Sequence, residues 1–170
     1  MTARDLTIEL PHLRLTAREW GPAEGPPALA LHGWLDNAAS FDRLAPLLSG
    51  LHLVALDLTG HGRSQHRHPS VVSHFIDWAS EIIAVADRLG WETFVLIGHS
   101  MGAGISSLVA GTFPDRVRKL VLLEGAGPLA ADPGKAPAQL AAAVIERIWT
   151  TDSVPHAAGV LRLDRLLAEG

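Results

Sequence analysis

Phe94-Val95-Leu96-Ile97-Gly98-His99-Ser100-Met101-Gly102-Ala103-Gly104 joins an apolar, strand-like run to a helix-like stretch through a turn marked by glycine. The spacing Gly98-x-Ser100-x-Gly102, set between a strand and a helix, is that of a nucleophile elbow. Such a sharp turn forces the central serine into a strained backbone conformation and leaves its hydroxyl exposed. Gly98 and Gly102 fit there because they lack the Cβ atoms that would clash. The alternative is a serine that merely caps the following helix.

Outward from this turn, strands and helices alternate. Residues 6–10 and 13–19 read as two short strands of a hairpin around Pro11-His12. Residues 21–27 hold three prolines and two glycines and read as a loop. Residues 28–31 form a short buried strand that ends at His32-Gly33-Trp34. A loop over 35–40 leads to a short helix near 41–48, with Ser40 as its expected N-cap. Residues 51–56 are another apolar strand, running into Asp57-Leu58-Thr59-Gly60-His61-Gly62-Arg63-Ser64. A long helix is expected over 74–89, with Phe75, Ile76, Ala79, Ile82, Ile83, Ala86 and Leu89 on one face and Gly90 as its stop. After the elbow strand come a helix over 101–112, a break at Phe113-Pro114-Asp115 and an apolar strand over 119–124. Continuous apolar strands alternating with helices imply a mostly parallel sheet covered on both faces. Residues 125–137 are rich in Gly, Pro and Ala. Helices are expected over 138–149 and 160–167, with no strand in this stretch.

Composition narrows the function classes. At 170 residues the chain suffices for one domain with a real core. Hydrophobic residues make up 48% and charged residues 19%, a soluble globular balance. The net charge is −4, with no long run of either sign, so nucleic acid is not an expected partner. There are no cysteines, which excludes disulfides, thiolate metal sites and cysteine nucleophiles. No secretory leader or run of roughly 20 apolar residues is evident, so an intracellular, cytoplasmic location is the expectation, with a C-terminal targeting signal left open.

Three motifs in order, His32-Gly33-Trp34, Asp57 to Ser64 and the elbow, resemble those of the α/β-hydrolase superfamily. The strings Leu31-His32-Gly33-Trp34-Leu35-Asp36-Asn37-Ala38-Ala39-Ser40-Phe41-Asp42 and Leu122-Leu123-Glu124-Gly125-Ala126-Gly127-Pro128-Leu129 resemble its serine hydrolase-like subgroup. The resemblance implies a three-layer α/β-hydrolase fold. Residues 1–129 would form the N-terminal part of its core, with the first six of eight strands. Residues 130–170 would begin a helical cap. The last two strands, with the triad histidine and usually its acid, would lie beyond Gly170.

By this resemblance Ser100 is the nucleophile and needs an adjacent base. The backbone N–H groups of Met101 and Trp34 are the expected oxyanion-hole donors. Glu124, at the end of the sixth strand, is a candidate triad acid; the competing role is a strand-end residue that hydrogen-bonds loop amides. His99 is too close in sequence to Ser100 to serve as its base. His32 and His61 are expected to hold loops together, Asp57 to brace the glycine-rich loop, and Asp36-Asn37 to form an Asx-type turn. His156 is the only histidine after the elbow, in a segment that reads as cap or loop. His66, His68 and His74 fit no standard metal-ligand spacing. No metal or cofactor is expected. The predicted chemistry is esterase-like hydrolysis of a small acyl substrate through Ser100. A serine cannot replace the carboxylate nucleophile of haloalkane dehalogenases or epoxide hydrolases. The alternative is a catalytically inactive fragment or pseudoenzyme acting as an interaction protein. Negligible ester hydrolysis by the chain alone and self-association through an exposed sheet edge are expected.

Overall fold

A computed structural model describes residues 2–72 and 74–125. The six strands β1 (Arg4–Leu10), β2 (Leu13–Trp20), β3 (Pro27–Leu31), β4 (His52–Leu56), β5 (Phe94–His99) and β6 (Val117–Leu123) form one sheet in the order β1-β2-β4-β3-β5-β6. The pairs β3–β4, β3–β5 and β5–β6 are parallel, whereas β1–β2 and β2–β4 are antiparallel. The expected hairpin and the mostly parallel sheet are thus both present. The expected cap, with its helices over 138–149 and 160–167, lies outside the described residues, as does His156.

The central strands are apolar along their length because the sheet is buried on both faces. Ala28, Leu29, Ala30 and Leu31 of β3 are fully buried, and so are Val54 and Ala55 beside them on β4. Helices α1 (Phe75–Arg88) and α2 (Met101–Thr112) pack against each other. Ala79, Ile82, Val85 and Ala86 of α1 join Leu29, Leu31, Leu56, Phe94 and Leu96 of the sheet in one core, with Ile105 and Val109 from α2.

Two expectations need correction. Phe75 and Ile76 do not share the buried face of α1; both are about half exposed, because the first turn of the helix stands clear of the core. The helix expected over 41–48 is replaced by two 3-10 turns, Ala38–Phe41 and Ala45–Leu47. The first is capped by Asn37 rather than Ser40: the Asn37 side chain accepts a hydrogen bond from the Ala39 N–H at 2.9 Å. Pro46 lacks the N–H that a continuous α-helix would need there.

Candidate active site

Parallel pairing places the C-terminal ends of β3, β4, β5 and β6 at one edge of the sheet, where their loops meet. Ser100 follows β5 directly, with φ 51° and ψ −113°. L-residues rarely occupy this region, and such strain persists only where the surrounding structure holds it. Its side chain makes no capping hydrogen bond to α2, and the residue is exposed. The turn is held from behind. The Ser100 N–H donates to the Leu123 carbonyl at 3.0 Å, and the Ser100 carbonyl accepts from Ala103 N–H at 2.9 Å. The first N–H groups of α2, those of Met101 and Gly102, precede these bonds; helix N-termini leave such donors without intrahelical partners.

Both elbow glycines are sterically required. A Cβ on Gly98 would lie 2.4 Å from the Gly102 carbonyl oxygen and 2.5 Å from Ser106 Oγ. A Cβ on Gly102 would lie 2.2 Å from the Leu31 carbonyl oxygen and 2.7 Å from that of His32. The second contact shows how close the first turn of α2 comes to the end of β3. The segment His32-Gly33-Trp34 therefore abuts the helix that begins at Met101.

That segment is anchored by His32, which is fully buried. Its Nδ1 lies 2.7 Å from the Gly33 carbonyl, and its Nε2 accepts from the Leu58 N–H at 3.0 Å. A carbonyl only accepts, so Nδ1 carries the proton and the ring is neutral. Burial pushes the His32 pKa below the ordinary histidine range. The ring spans the loops after β3 and β4, as expected. The Gly33 carbonyl also accepts from Asp36 N–H, closing a tight turn in which Leu35 takes φ 57°. The Trp34 ring is 41% exposed and meets His61 edge-on at 5.7 Å; His61 in turn tilts against His32 at 5.1 Å. The His61 Nδ1 lies 3.2 Å from the Thr59 carbonyl within its own loop.

Asp57 braces the glycine-rich loop, as expected. Its carboxylate accepts from Arg63 N–H at 3.0 Å, from Thr16 Oγ1 at 2.7 Å and from Ala38 N–H at 2.8 Å. The last bond ties this loop to the one after β3, a link between residues too distant in sequence to read in advance. Gly62 has φ 53°, and a Cβ there would lie 2.3 Å from Asp57 Cγ.

Glu124 also takes a positive φ, 50°. Its carboxylate is largely exposed and lies 3.7 Å from His99 Nε2, in place of the loop amides considered for it. His99 turns toward this partner; among the described residues no histidine hydrogen-bonds the Ser100 hydroxyl. Among the described residues no group of His, Asp and Glu could hold a metal ion, and no helix is long and apolar enough to cross a membrane. Two clefts, of about 450 and 340 Å³, open elsewhere: one by Asp87, Trp91 and Arg116, the other by Arg18, Asn37 and Arg63.

A strand-turn-helix elbow beside an anchored glycine loop, at one end of a mostly parallel sheet, is the arrangement of the α/β hydrolases. The chain belongs to that family: the model of the alpha/beta hydrolase fold matches residues 26–148. Within it, the chain is similar to the serine hydrolase-like proteins. It is 45% identical over 121 residues to the human serine hydrolase-like protein, and 39% identical over 127 residues to a probable serine hydrolase of Drosophila melanogaster. These matches cover 71% and 73% of the chain, but only 60% and 38% of the relatives. The chain thus spans about two fifths to three fifths of the curated relatives named here. A hypothetical protein of Pseudomonas aeruginosa PAO1 superposes with a TM-score of 0.73 at 46% identity, over 88% of this chain and 54% of that one. The thioesterase domain from the curacin biosynthetic pathway superposes with a TM-score of 0.70 at 29% identity, over 91% and 55%.

Proposed function

We propose that Ser100 is the nucleophile of an esterase-like acyl hydrolase acting on a small-molecule ester. The observation that carries this reading is the Ser100 backbone: a strained residue, uncapped, exposed and held from behind by Leu123. Relatives named serine hydrolase-like and probable serine hydrolase support it.

In the proposed reaction the Ser100 Oγ attacks the ester carbonyl carbon while a base takes its proton. The carbonyl oxygen becomes an oxyanion held by the N–H groups of Met101 and Trp34. The fixed Gly33 carbonyl supports the second donor. In a trans peptide the C=O and the following N–H point opposite ways, so anchoring Gly33 O on His32 fixes the direction of the Trp34 N–H. The C–O bond then breaks, the alcohol leaves with the proton from the base, and water hydrolyses the acyl-serine. Glu124 is the proposed acid that orients the base, and residues 130–170 are proposed to begin the cap. The base itself is a histidine from outside the described residues.

A second reading, in which the 170 residues are catalytically silent, is favoured by the missing contact between any described histidine and Ser100. The two make different predictions for added base. p-Nitrophenyl acetate turnover is measured for the wild type and Ser100→Ala, with and without imidazole. The unsupplemented chain is expected to show a negligible Ser100-dependent rate, because loss of one triad member leaves only a small residue of catalysis. Imidazole, as a substitute base, is expected to give wild type an increment that Ser100→Ala lacks. Equal rates in both proteins at every imidazole concentration contradict a nucleophilic role for Ser100.

A further inference from the structure

We infer that Phe75 forms an apolar wall of the acyl-binding site beside Ser100, so that the preferred ester carries a medium-length apolar acyl chain. The inference rests on Ser100 marking the reaction centre. Ser100 is the N-cap of α2 and Gly104 lies in the helix's first turn, its N–H donating to the Ser100 carbonyl at 3.3 Å. Four residues of helical rise set Gly104 about 6 Å along the axis from this N-cap. A Cβ on Gly104 would lie 3.3 Å from both Cε1 and Cζ of Phe75. Helical Cβ atoms tilt toward the N-terminus, here toward Ser100, so the ring covers the nucleophile's side of Gly104.

Gly104 has no side chain to stand between the ring and the serine. The ring is packed on one side: it meets Trp78 edge-on at 5.6 Å, and the Trp78 ring carries the Arg67 guanidinium on its face at 5.5 Å. Arg67 pairs with Glu81, whose other oxygen accepts from Thr59 Oγ1 at 2.6 Å. Yet Phe75 remains 45% exposed, and Ile76 beside it 53%. A half-exposed aromatic ring one helical turn from a nucleophile offers an apolar surface to the group attached to the reacting carbonyl. Acetate is too short to cover it, whereas a chain of about six carbons reaches it, by the axial spacing above.

Binding is measured separately from chemistry. Calorimetric titration of Ser100→Ala with ethyl hexanoate and ethyl acetate is compared with the same titrations of Ser100→Ala carrying Phe75→Ala or Phe75→Leu. The expected result is a roughly tenfold loss of hexanoate affinity with Phe75→Ala, little change for acetate, and substantial recovery with Phe75→Leu. Gly104→Val, which leaves Phe75 in place but crowds its ring, is expected to weaken hexanoate selectively and serves if Phe75→Ala does not fold. Equal losses for both esters, or unchanged hexanoate affinity in Phe75→Ala and Gly104→Val, overturn the acyl wall. These titrations need no turnover, so a silent Ser100 in the imidazole assay contradicts the nucleophile and leaves the result at Phe75 to stand by itself.

Discussion

At the residue scale the elbow is a set of steric demands that can be tested one atom at a time. Ser100 sits at φ 51°, where a Cβ is costly and glycine is not. Ser100→Gly is therefore expected to be more stable than Ser100→Ala by about 1 kcal/mol in urea denaturation, although both lose the hydroxyl. Gly102→Ala, whose new methyl would meet the Leu31 carbonyl, is expected to cost about 1–3 kcal/mol by the same measurement. Both glycines and Ser100 were legible in the sequence because the motif states a steric rule. Leu35 and Glu124 also adopt positive φ, and no such rule announced them: neither residue type favours that conformation, which is imposed by the turns after β3 and β6.

At the scale of elements, the loops around the site are joined by two buried polar residues, His32 and Asp57. Asp57 accepts three hydrogen bonds from three different segments. Asp57→Ala strands those donors and is expected to cost about 3 kcal/mol in denaturant unfolding, with Asp57→Asn milder. The bracing role was legible from a strand-end aspartate before a glycine-rich loop; the bond to Ala38 was not, since it spans 19 positions. The face of α1 was legible from its 3.6-residue period only where the helix lies on the sheet. Period alone does not reveal that the first turn, with Phe75 and Ile76, projects past it. The 3-10 turns at Ala38–Phe41 and Ala45–Leu47 escaped for a related reason: apolar spacing suits a short helix, but Pro46 interrupts its hydrogen bonds.

At the scale of the whole molecule, two buried groups set the response to acid. His32 is held neutral by burial, so below the ordinary histidine pKa the unfolded chain binds more protons than the folded one. Its contribution is full above about pH 6.5 and is lost as pH falls from there toward its depressed folded value. Burial works to raise the Glu19 pKa, but hydrogen bonds from His52 at 2.5 Å and Arg4 at 2.8 Å hold it lower. That contribution is full above about pH 4.3 and is lost as pH falls through the folded value. Urea midpoints against pH are expected to fall in these two stages, and His32→Gln to flatten the first. The Glu19–His52 partnership was not legible, because the two residues are 33 positions apart and meet only through the β2–β4 pairing. The mostly parallel sheet followed from the alternation of elements, but its consequence at β6 is a matter of exposure. Among the described residues β6 pairs only with β5, and Leu120 and Leu122 are each 38% exposed. Apolar strand edges invite pairing, so the 170-residue chain is expected to self-associate in sedimentation velocity as concentration rises. A single monomeric species at all concentrations contradicts this.

The central claim, that the elbow presents a reactive hydroxyl, is tested most directly by peptide mapping of the protein after fluorophosphonate treatment in the presence of imidazole. The expected result is an adduct on Ser100, with other serines such as Ser40, Ser80 and Ser107 unlabelled. Labelling that spares Ser100, or spreads evenly over exposed serines, would contradict it.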